Sequence, residues 1–296
     1  MKYSYFPGCS LETVARSYDV SARLTADKLG IELIELEDWN CCGATAYFHI
    51  DEILAHTLCA RNLAMSELAG LDVVAPCSGC YKNMRATSSH LMKDPELREH
   101  INIALKEDGL EFRGLRRVLH LADIFTEEVG LANLRSRVVN ALKGLRVAPY
   151  YGCQILRPTL GRENAENPDF LEDLVAATGA QAVDYPLKTR CCGGSLIMTR
   201  NPVALKMVKN LLKCATDQGA DLIVTTCPLC QVNLECYQSQ VNRKYGTNFS
   251  VPALYFTQLL GVALGIPASD LLIGSEMEPA ADLLKGYVKE ALCNRA

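Results

Sequence analysis

Residues 71–80 read LDVVAPCSGC and residues 220–230 read ADLIVTTCPLC. Each is a short apolar run that closes on a Cys-x-x-Cys and opens into a stretch with helical spacing, the signature of a buried strand feeding a helix. Residues 43–76 and 193–226, 34 in each case, separate these motifs from an adjacent cysteine pair, Cys41-Cys42-Gly43 in one half and Cys191-Cys192-Gly193 in the other. A further cysteine leads each set, Cys9 in YFPGCS and Cys153 in YYGCQ, with residues 10–40 and 154–190 between it and the pair. Ten of the 14 cysteines therefore fall into two copies of one pattern. The flanks repeat too: NCCGA answers RCCGG, and VLHLADIF answers ALYFTQLL. The chain is an internal duplication with its seam near Leu142–Arg146, which divides it into residues 1–144 and 145–296.

Working outward, Tyr3–Phe6, Glu32–Leu36, Asp72–Ala75 and Val118–Leu121 read as strands. Val147–Tyr151, Ala182–Tyr185, Leu222–Thr225 and Ala253–Phe256 repeat them. Helical spacing runs through Leu11–Leu29 and Asp51–Leu68, with Ser10 and Asp51 as expected N-caps and Gly30 and Gly70 as stops. Strands alternating with helices predict an α/β fold of two pseudo-symmetric βαβ lobes with parallel sheets. In such a sheet the residues just past the strand ends share one edge, where open α/β folds bind ligands. Cys9, Cys41-Cys42 and Cys77 all follow strand ends, so five thiols per half converge on one crevice. The two halves are expected to be related by a pseudo-twofold axis, their sites facing each other.

The 296 residues, 49% hydrophobic and 22% charged, suffice to bury a core without metal or disulfide staples. Cysteines in such number then point to chemistry. Lys and Arg total 30 against 34 Asp and Glu, so no basic excess suggests nucleic acid. The N-terminus MKYSYFPGCS carries no signal-peptide pattern, and the apolar stretch Leu254–Pro267 is too short to span a bilayer. A cytoplasmic protein is expected, and there disulfides are rare and thiols serve metals or redox reactions. No GxGxxG follows a strand, no GxxxxGK[ST] occurs, and no ferredoxin-type cysteine run is present. Electrons would thus come from a separate subunit.

Thiolates favour zinc, copper(I) or iron–sulfur clusters. A structural zinc site closes at four ligands, whereas each half offers five. An adjacent pair grips one ion only through a sharp turn, which Gly43 and Gly193-Gly194 permit, and it reaches two metals more easily. This favours a polynuclear cluster; zinc remains the alternative. Cys59, Cys214, Cys236 and Cys293 lie outside the pattern and read as core or surface thiols. His49, seven residues past Cys42, and Trp39, two before Cys41, read as a helix-start residue and a packing residue.

The doubled Cys, Cys-Cys-Gly and CxxC pattern resembles the cysteine-rich CCG domain and covers nearly the whole chain. Two complete, unfused copies resemble the B subunit of heterodisulfide reductase; the same domain occurs in thiol:fumarate reductase, glycolate oxidase and lactate-utilisation proteins. The resemblance implies two noncubane [4Fe-4S] clusters, one on Cys9, Cys41, Cys42, Cys77 and Cys80, the other on Cys153, Cys191, Cys192, Cys227 and Cys230. It implies an oxidoreductase that reduces the coenzyme M–coenzyme B disulfide to two thiols. Its partners would be a ferredoxin-like subunit of C type and a flavin-bearing subunit of A type. Two further readings are a related oxidoreductase component acting on another disulfide or an organic acid, and a non-catalytic electron-transfer or zinc scaffold.

An anionic disulfide needs local cations on an acidic protein. The second loop, LKTRCCGGSLIMTR, carries Lys188, Arg190 and Arg200, and Arg157 follows Cys153. Lys82 and Arg85, just past the first CxxC, are the other candidates, while the first loop carries Glu35, Glu37 and Asp38.

Overall fold

A computed structural model describes residues 1–44, 47–157, 164–275 and 277–287. In the first half β1 (Lys2–Tyr5), α1 (Arg16–Lys28), β2 (Glu32–Glu35), α2 (Tyr47–Ile50), α3 (Glu52–Leu68), β3 (Val73–Ala75), α4 (Ser78–Lys93), α5 (Pro95–Leu105) and β4 (Val118–His120) follow in order. The short helices α6 (Leu121–Asp123) and α7 (Leu131–Ser136) lead to the second half. There β5 (Arg146–Tyr150), α8 (Phe170–Ala177), β6 (Gln181–Ala182), α9 (Asn201–Asp217), β7 (Leu222–Thr225), α10 (Pro228–Cys236), α11 (Gln238–Tyr245), β8 (Ala253–Tyr255) and α12 (Phe256–Ala263) repeat the pattern, with α13 (Ala280–Lys285) beyond.

Both sheets are four-stranded and wholly parallel, ordered β2-β1-β3-β4 and β6-β5-β7-β8. The two-lobed α/β architecture expected of a duplicated chain is the one observed. Val-Val-Ala in β3 and Leu-Ile-Val-Thr in β7 are buried at every position, as strands covered on both faces must be. In each sheet the chain reverses its lateral direction between the first and third strands, and at that switch point a crevice opens beyond the strand ends. Cys9 follows β1 and Cys77 follows β3, so the cysteines sit at the switch.

The local punctuation departs from expectation at two places. Ser10 does not cap α1, which begins at Arg16 behind Ala15. The residues between form turns, with the Thr13 and Ala15 amides donating to the Ser10 carbonyl and the Thr13 hydroxyl donating to the Cys9 carbonyl at 3.0 Å. The chain needs those turns to swing away from β1 once Gly8, at φ +74°, has set the direction of Cys9. The strand expected over Ala182–Tyr185 is Gln181–Ala182; Val183 adds one bond to Val147, after which Pro186 ends the edge pairing. Asp51 does cap α3, accepting from the Leu54 amide at 2.9 Å, and Gly30 and Gly70 adopt left-handed stops at φ +78° and +71°.

One apolar core joins the halves. Tyr18, Val74 and Phe125 share it with Val147, Leu254 and Phe256. Helix α1 packs on α12, where the Ser21 and Thr257 hydroxyls lie 2.6 Å apart and Thr25 donates to the Thr257 carbonyl at 3.1 Å. Tyr18 stacks on Tyr255 at 4.1 Å with rings 8° from parallel, a contact worth about 0.5–1.5 kcal/mol beyond its burial. Among the described residues no helix is long and apolar enough to cross a membrane.

Candidate metal centre

Each CxxC is built on a helix start. Cys77 is the N-cap of α4 and Cys227 that of α10, so Cys80 and Cys230 fall one turn on, at the third helical position. N-cap and third position face the same side, and the positive end of the helix favours a negative group there. The adjacent pairs arrive from the loops after β2 and β6. Gly43 and Gly193, at φ +78° and +79°, turn the chain immediately after them.

These elements bring the sulfurs together in pairs. Cys42 Sγ lies 3.4 Å from Cys80 Sγ and Cys41 Sγ lies 3.9 Å from Cys9 Sγ. In the second half Cys192 Sγ lies 3.6 Å from Cys230 Sγ, and Cys153 and Cys191 line one cavity. Cys77 and Cys227 adjoin Ser78 and Thr226, whose hydroxyls lie 2.9 Å apart across the boundary between the halves, and each thiol perturbs the other. The two sites therefore meet. Cys42, Cys80, Cys192, Cys227 and Cys230 are buried, Cys153, Cys191 and Cys77 half-buried, and Cys9 and Cys41 exposed.

The thiols perturb one another strongly. The neighbouring thiols of Cys41 and then Cys80 hold Cys42 well below the ordinary thiol range. Cys153 and Cys192 do the same for Cys191, and Cys230 and Cys77 for Cys227. Their partners are pushed up: Cys80 by Cys42, Cys230 by Cys192, and Cys153 by Cys191. Backbone and side-chain N–H groups add to the anion-stabilising field, Gly193 N to Cys191 Sγ at 3.3 Å and Gln154 Nε2 to Cys153 Sγ at 3.6 Å. Packed this closely, the thiols ionise only in part unless cationic metal replaces the protons.

The donor set fits a polynuclear thiolate-bound group. Two thiolates on one tetrahedral metal at about 2.3 Å are held about 3.8 Å apart, close to the spacing seen here. Yet among the described residues no three His, Cys, Asp or Glu side chains are grouped to hold a single ion. Pairs aimed at separate positions suit several metals better than one closed zinc.

Two pairs of residues that complete this cradle were not singled out in the sequence. Gly8 and Gly152 precede the leading cysteines at φ +74° and +67°. A Cβ there would stand 2.9 Å from Cys80 Sγ and 3.0 Å from Cys230 Sγ, so only glycine leaves those sulfurs their place. Asn83 and Asn233, three residues past each CxxC, donate to the carbonyls of Cys42 at 3.2 Å and Cys192 at 3.1 Å. PGC against YGC, and CxxCxxN repeated twice, were the available signals.

Among the basic candidates, Arg157 and Arg190 line a cavity of about 450 Å³ together with Cys153, Cys191, Thr189 and Asn210. Arg157 is ion-paired to Glu166 at 2.5 Å. Lys188 is buried and points to Glu172 at 2.7 Å and Asp184 at 3.3 Å. Burial alone would lower its pKa, but Glu172 and then Asp184 outweigh that and leave it raised. Arg200 is exposed ahead of α9. On the other lobe Lys82 lies over the Phe48 ring at 5.5 Å, and Arg85 donates to the Val118 carbonyl at 3.1 Å. The acidic first loop is partly neutralised, Glu35 by Arg23 and Asp38 by Arg61.

His49 is exposed on α2, and Trp39 packs edge-on against Phe6 at 5.3 Å. Cys59 is fully buried with its sulfur 3.3 Å from the Cys42 carbonyl, and burial pushes its thiol up. Cys214 and Cys236 are half-buried, while Cys293 lies outside the described residues.

A cysteine-rich domain model, designated CCG, matches residues 3–85 and 147–235. The chain is 35% identical over 275 residues to the B subunit of the ferredoxin/F(420)H(2)-dependent CoB-CoM heterodisulfide reductase of Methanosarcina acetivorans, covering 91% of each. It is 34% identical to the 8-methylmenaquinol:fumarate reductase membrane anchor subunit of Wolinella succinogenes, over 95% of this chain and 99% of that one. A protein of Archaeoglobus profundus that is itself described as like the heterodisulfide reductase B subunit is 30% identical over 96% of this chain and 97% of its own. The crystal structure of a hypothetical protein from Helicobacter pylori superposes with a TM-score of 0.77 at 16% identity, over 93% of this chain but 51% of that one, a likeness of fold alone.

Proposed function

Because the chain belongs to the cysteine-rich CCG domain family and is a relative of the heterodisulfide reductase B subunit, we propose that it is the catalytic component of a disulfide reductase complex. Its substrate is the coenzyme M–coenzyme B disulfide, and each half holds one noncubane [4Fe-4S] cluster. The observation that carries this reading is the meeting of the two five-cysteine sets beside Cys77 and Cys227, where the Ser78 and Thr226 hydroxyls lie 2.9 Å apart. Cys9, Cys41, Cys42, Cys77 and Cys80 hold the first cluster, and Cys153, Cys191, Cys192, Cys227 and Cys230 the second. When bound, the clusters supply single electrons and sulfur-seeking iron. Splitting RS–SR′ consumes two electrons and two protons and yields RSH and R′SH, so a pair of one-electron sites matches the stoichiometry.

The protein's own part is to place the disulfide. Arg190 and Arg157 present guanidinium groups to an anionic arm in the cavity beside Cys153 and Cys191, and Thr189 and Asn210 add polar contacts. Lys188 stiffens that wall through Glu172. Electrons come from a ferredoxin-like subunit fed by a flavin-bearing one, in a compartment that keeps thiols reduced.

A second reading rests on the Wolinella relative, matched over nearly its full length. On that reading the chain is an electron-transfer component of a reductase with another substrate. Anaerobically purified protein separates the two. Iron with acid-labile sulfide, plus viologen-driven reduction of the disulfide, supports the first; iron without disulfide turnover favours the second; stoichiometric zinc overturns both.

A further inference from the structure

Asn83 and Asn233 occupy equivalent places in the two halves, one turn after the last cysteine of CSGC and CPLC. Both are buried, at 2% and 1% exposure. A buried amide is costly unless its donors are used. Each uses them on the same target: Asn83 Nδ2 donates to the Cys42 carbonyl at 3.2 Å, and Asn233 Nδ2 to the Cys192 carbonyl at 3.1 Å. Those carbonyls belong to irregular turns with left-handed glycines behind them, Gly43 and Gly193. The amide thus ties the turn that presents two cysteines to the helix that presents two more.

The halves then diverge. Asn83 Nδ2 also lies 3.7 Å from Cys42 Sγ and 2.7 Å from the Ala44 carbonyl. Among the described residues Asn233 donates to the Cys192 carbonyl alone. An N–H aimed at a ligand sulfur stabilises the more negative, reduced state of whatever that sulfur holds and so raises its reduction potential.

We infer that Asn83 and Asn233 are positioning residues that fix the two Cys-Cys turns against the CxxC helices, and that Asn83 alone also raises the potential of the group held in the first half through its contact with Cys42 Sγ. This rests on the reading of both sites as iron–sulfur centres. It assigns the two sites different tuning although their cysteines are the same, which gives electrons a preferred resting place.

The test compares wild type, Asn83→Leu and Asn233→Leu, purified anaerobically, by iron and sulfide content and by EPR-monitored redox titration. Asn83→Leu is expected to move one of the two midpoints to more negative potential. A tenfold change in the oxidised-to-reduced ratio corresponds to about 59 mV for one electron. Asn233→Leu is expected to leave both midpoints in place while the chelator-driven loss of iron from one site quickens several-fold. Unchanged midpoints in Asn83→Leu, or equal shifts in both variants, overturn the inference. If Asn83→Leu fails to hold iron, Asn83→Ser, too short to reach the sulfur, replaces it and is judged by the same midpoint. Zinc in the wild-type protein would instead remove the functional reading itself, before any substitution is made.

Discussion

The hydroxyls of Ser78 and Thr226 lie 2.9 Å apart, buried, on the two residues that adjoin Cys77 and Cys227. Ser78 belongs to the first half and Thr226 to the second, so the two cysteine sets are fastened to each other beside Cys77 and Cys227. Tyr18 reinforces the joint. Its hydroxyl donates to the Pro76 carbonyl at 2.8 Å and also lies 3.3 Å from the Thr226 carbonyl, one group spanning both CxxC turns. The sheets set each site separately; these side chains set the distance between them.

Tyr18→Phe keeps the stack on Tyr255 and removes the clamp. Losing the buried donor to the Pro76 carbonyl costs about 1–3 kcal/mol, while the Thr226 carbonyl keeps its bond from the Ser78 hydroxyl at 3.1 Å. A fall in thermal stability is expected, with iron content retained and magnetic coupling between the two sites altered in the EPR spectrum. Wild-type stability and spectrum in the variant would show that the hydroxyl fastens nothing.

Metal content is the plainest expectation. With four irons per site, the chain is expected to carry about eight irons and matching acid-labile sulfide. Stripping the iron anaerobically leaves thiols crowded at 3.4–3.9 Å without their counter-charge. The stripped protein is then expected to melt lower than the loaded one and to recover on reconstitution.

Gly8→Ala and Gly152→Ala each place a methyl against a sulfur, from a left-handed backbone that costs an L-residue about 1–2 kcal/mol. Each variant is expected to lose iron from its own half only, so content falls to about half in either and vanishes in the double variant. Full iron content in both single variants would remove these glycines from the cradle.

Much of this was legible in the sequence because ligand chemistry and strand burial both leave periodic marks. The spacing of Cys41-Cys42 and Cys77-x-x-Cys80 repeats because two loops of one sheet edge must reach the same point. The apolar runs of β3 and β7 show because strands covered on both faces admit little else. What stayed hidden depends on partners distant in sequence. Tyr18 looks like any apolar helix position until Thr226, 208 residues away, is placed beside it. Ser10 has the right chemistry for an N-cap, but the loop around Cys9 outweighs that local preference. Lys188 reads as one of several loop cations; that its charge is matched by Glu172 follows only once α8 packs against β5 and β6.

That pairing makes Lys188 a matter of stability. Its side chain is 8% exposed and that of Glu172 19%. Removing one member of such a pair strands the other, at a cost of roughly 3 kcal/mol. Lys188→Ala and Glu172→Gln are therefore both expected to lower the unfolding midpoint. Because the folded-state pKa of Lys188 is raised, its contribution is fully present below the ordinary lysine range and is lost only as pH climbs through the raised value. The difference between wild type and Lys188→Ala should therefore hold constant across neutral pH and shrink only in alkali.

Arg190 provides the contrast. It is exposed at the mouth of the cavity beside Cys153 and Cys191, and its backbone carbonyl, not its guanidinium, is what Tyr150 holds at 2.6 Å. The peptide position is thus fixed while the residue lines the cavity. One charge-assisted contact is worth about 1.5–3 kcal/mol, and about 1.4 kcal/mol is a factor of ten. Arg190→Ala is expected to raise the KM for an anionic disulfide about tenfold or more, with stability and iron content unchanged. Arg157, shared with Glu166, is expected to matter less, and Lys188→Ala should act through stability rather than KM. Steady-state kinetics with a viologen donor, run beside melting curves on the same samples, separates these effects. A normal KM in Arg190→Ala would move the anionic arm out of this cavity and leave the second lobe's charge as a docking surface, recognisable by the salt dependence of complex assembly.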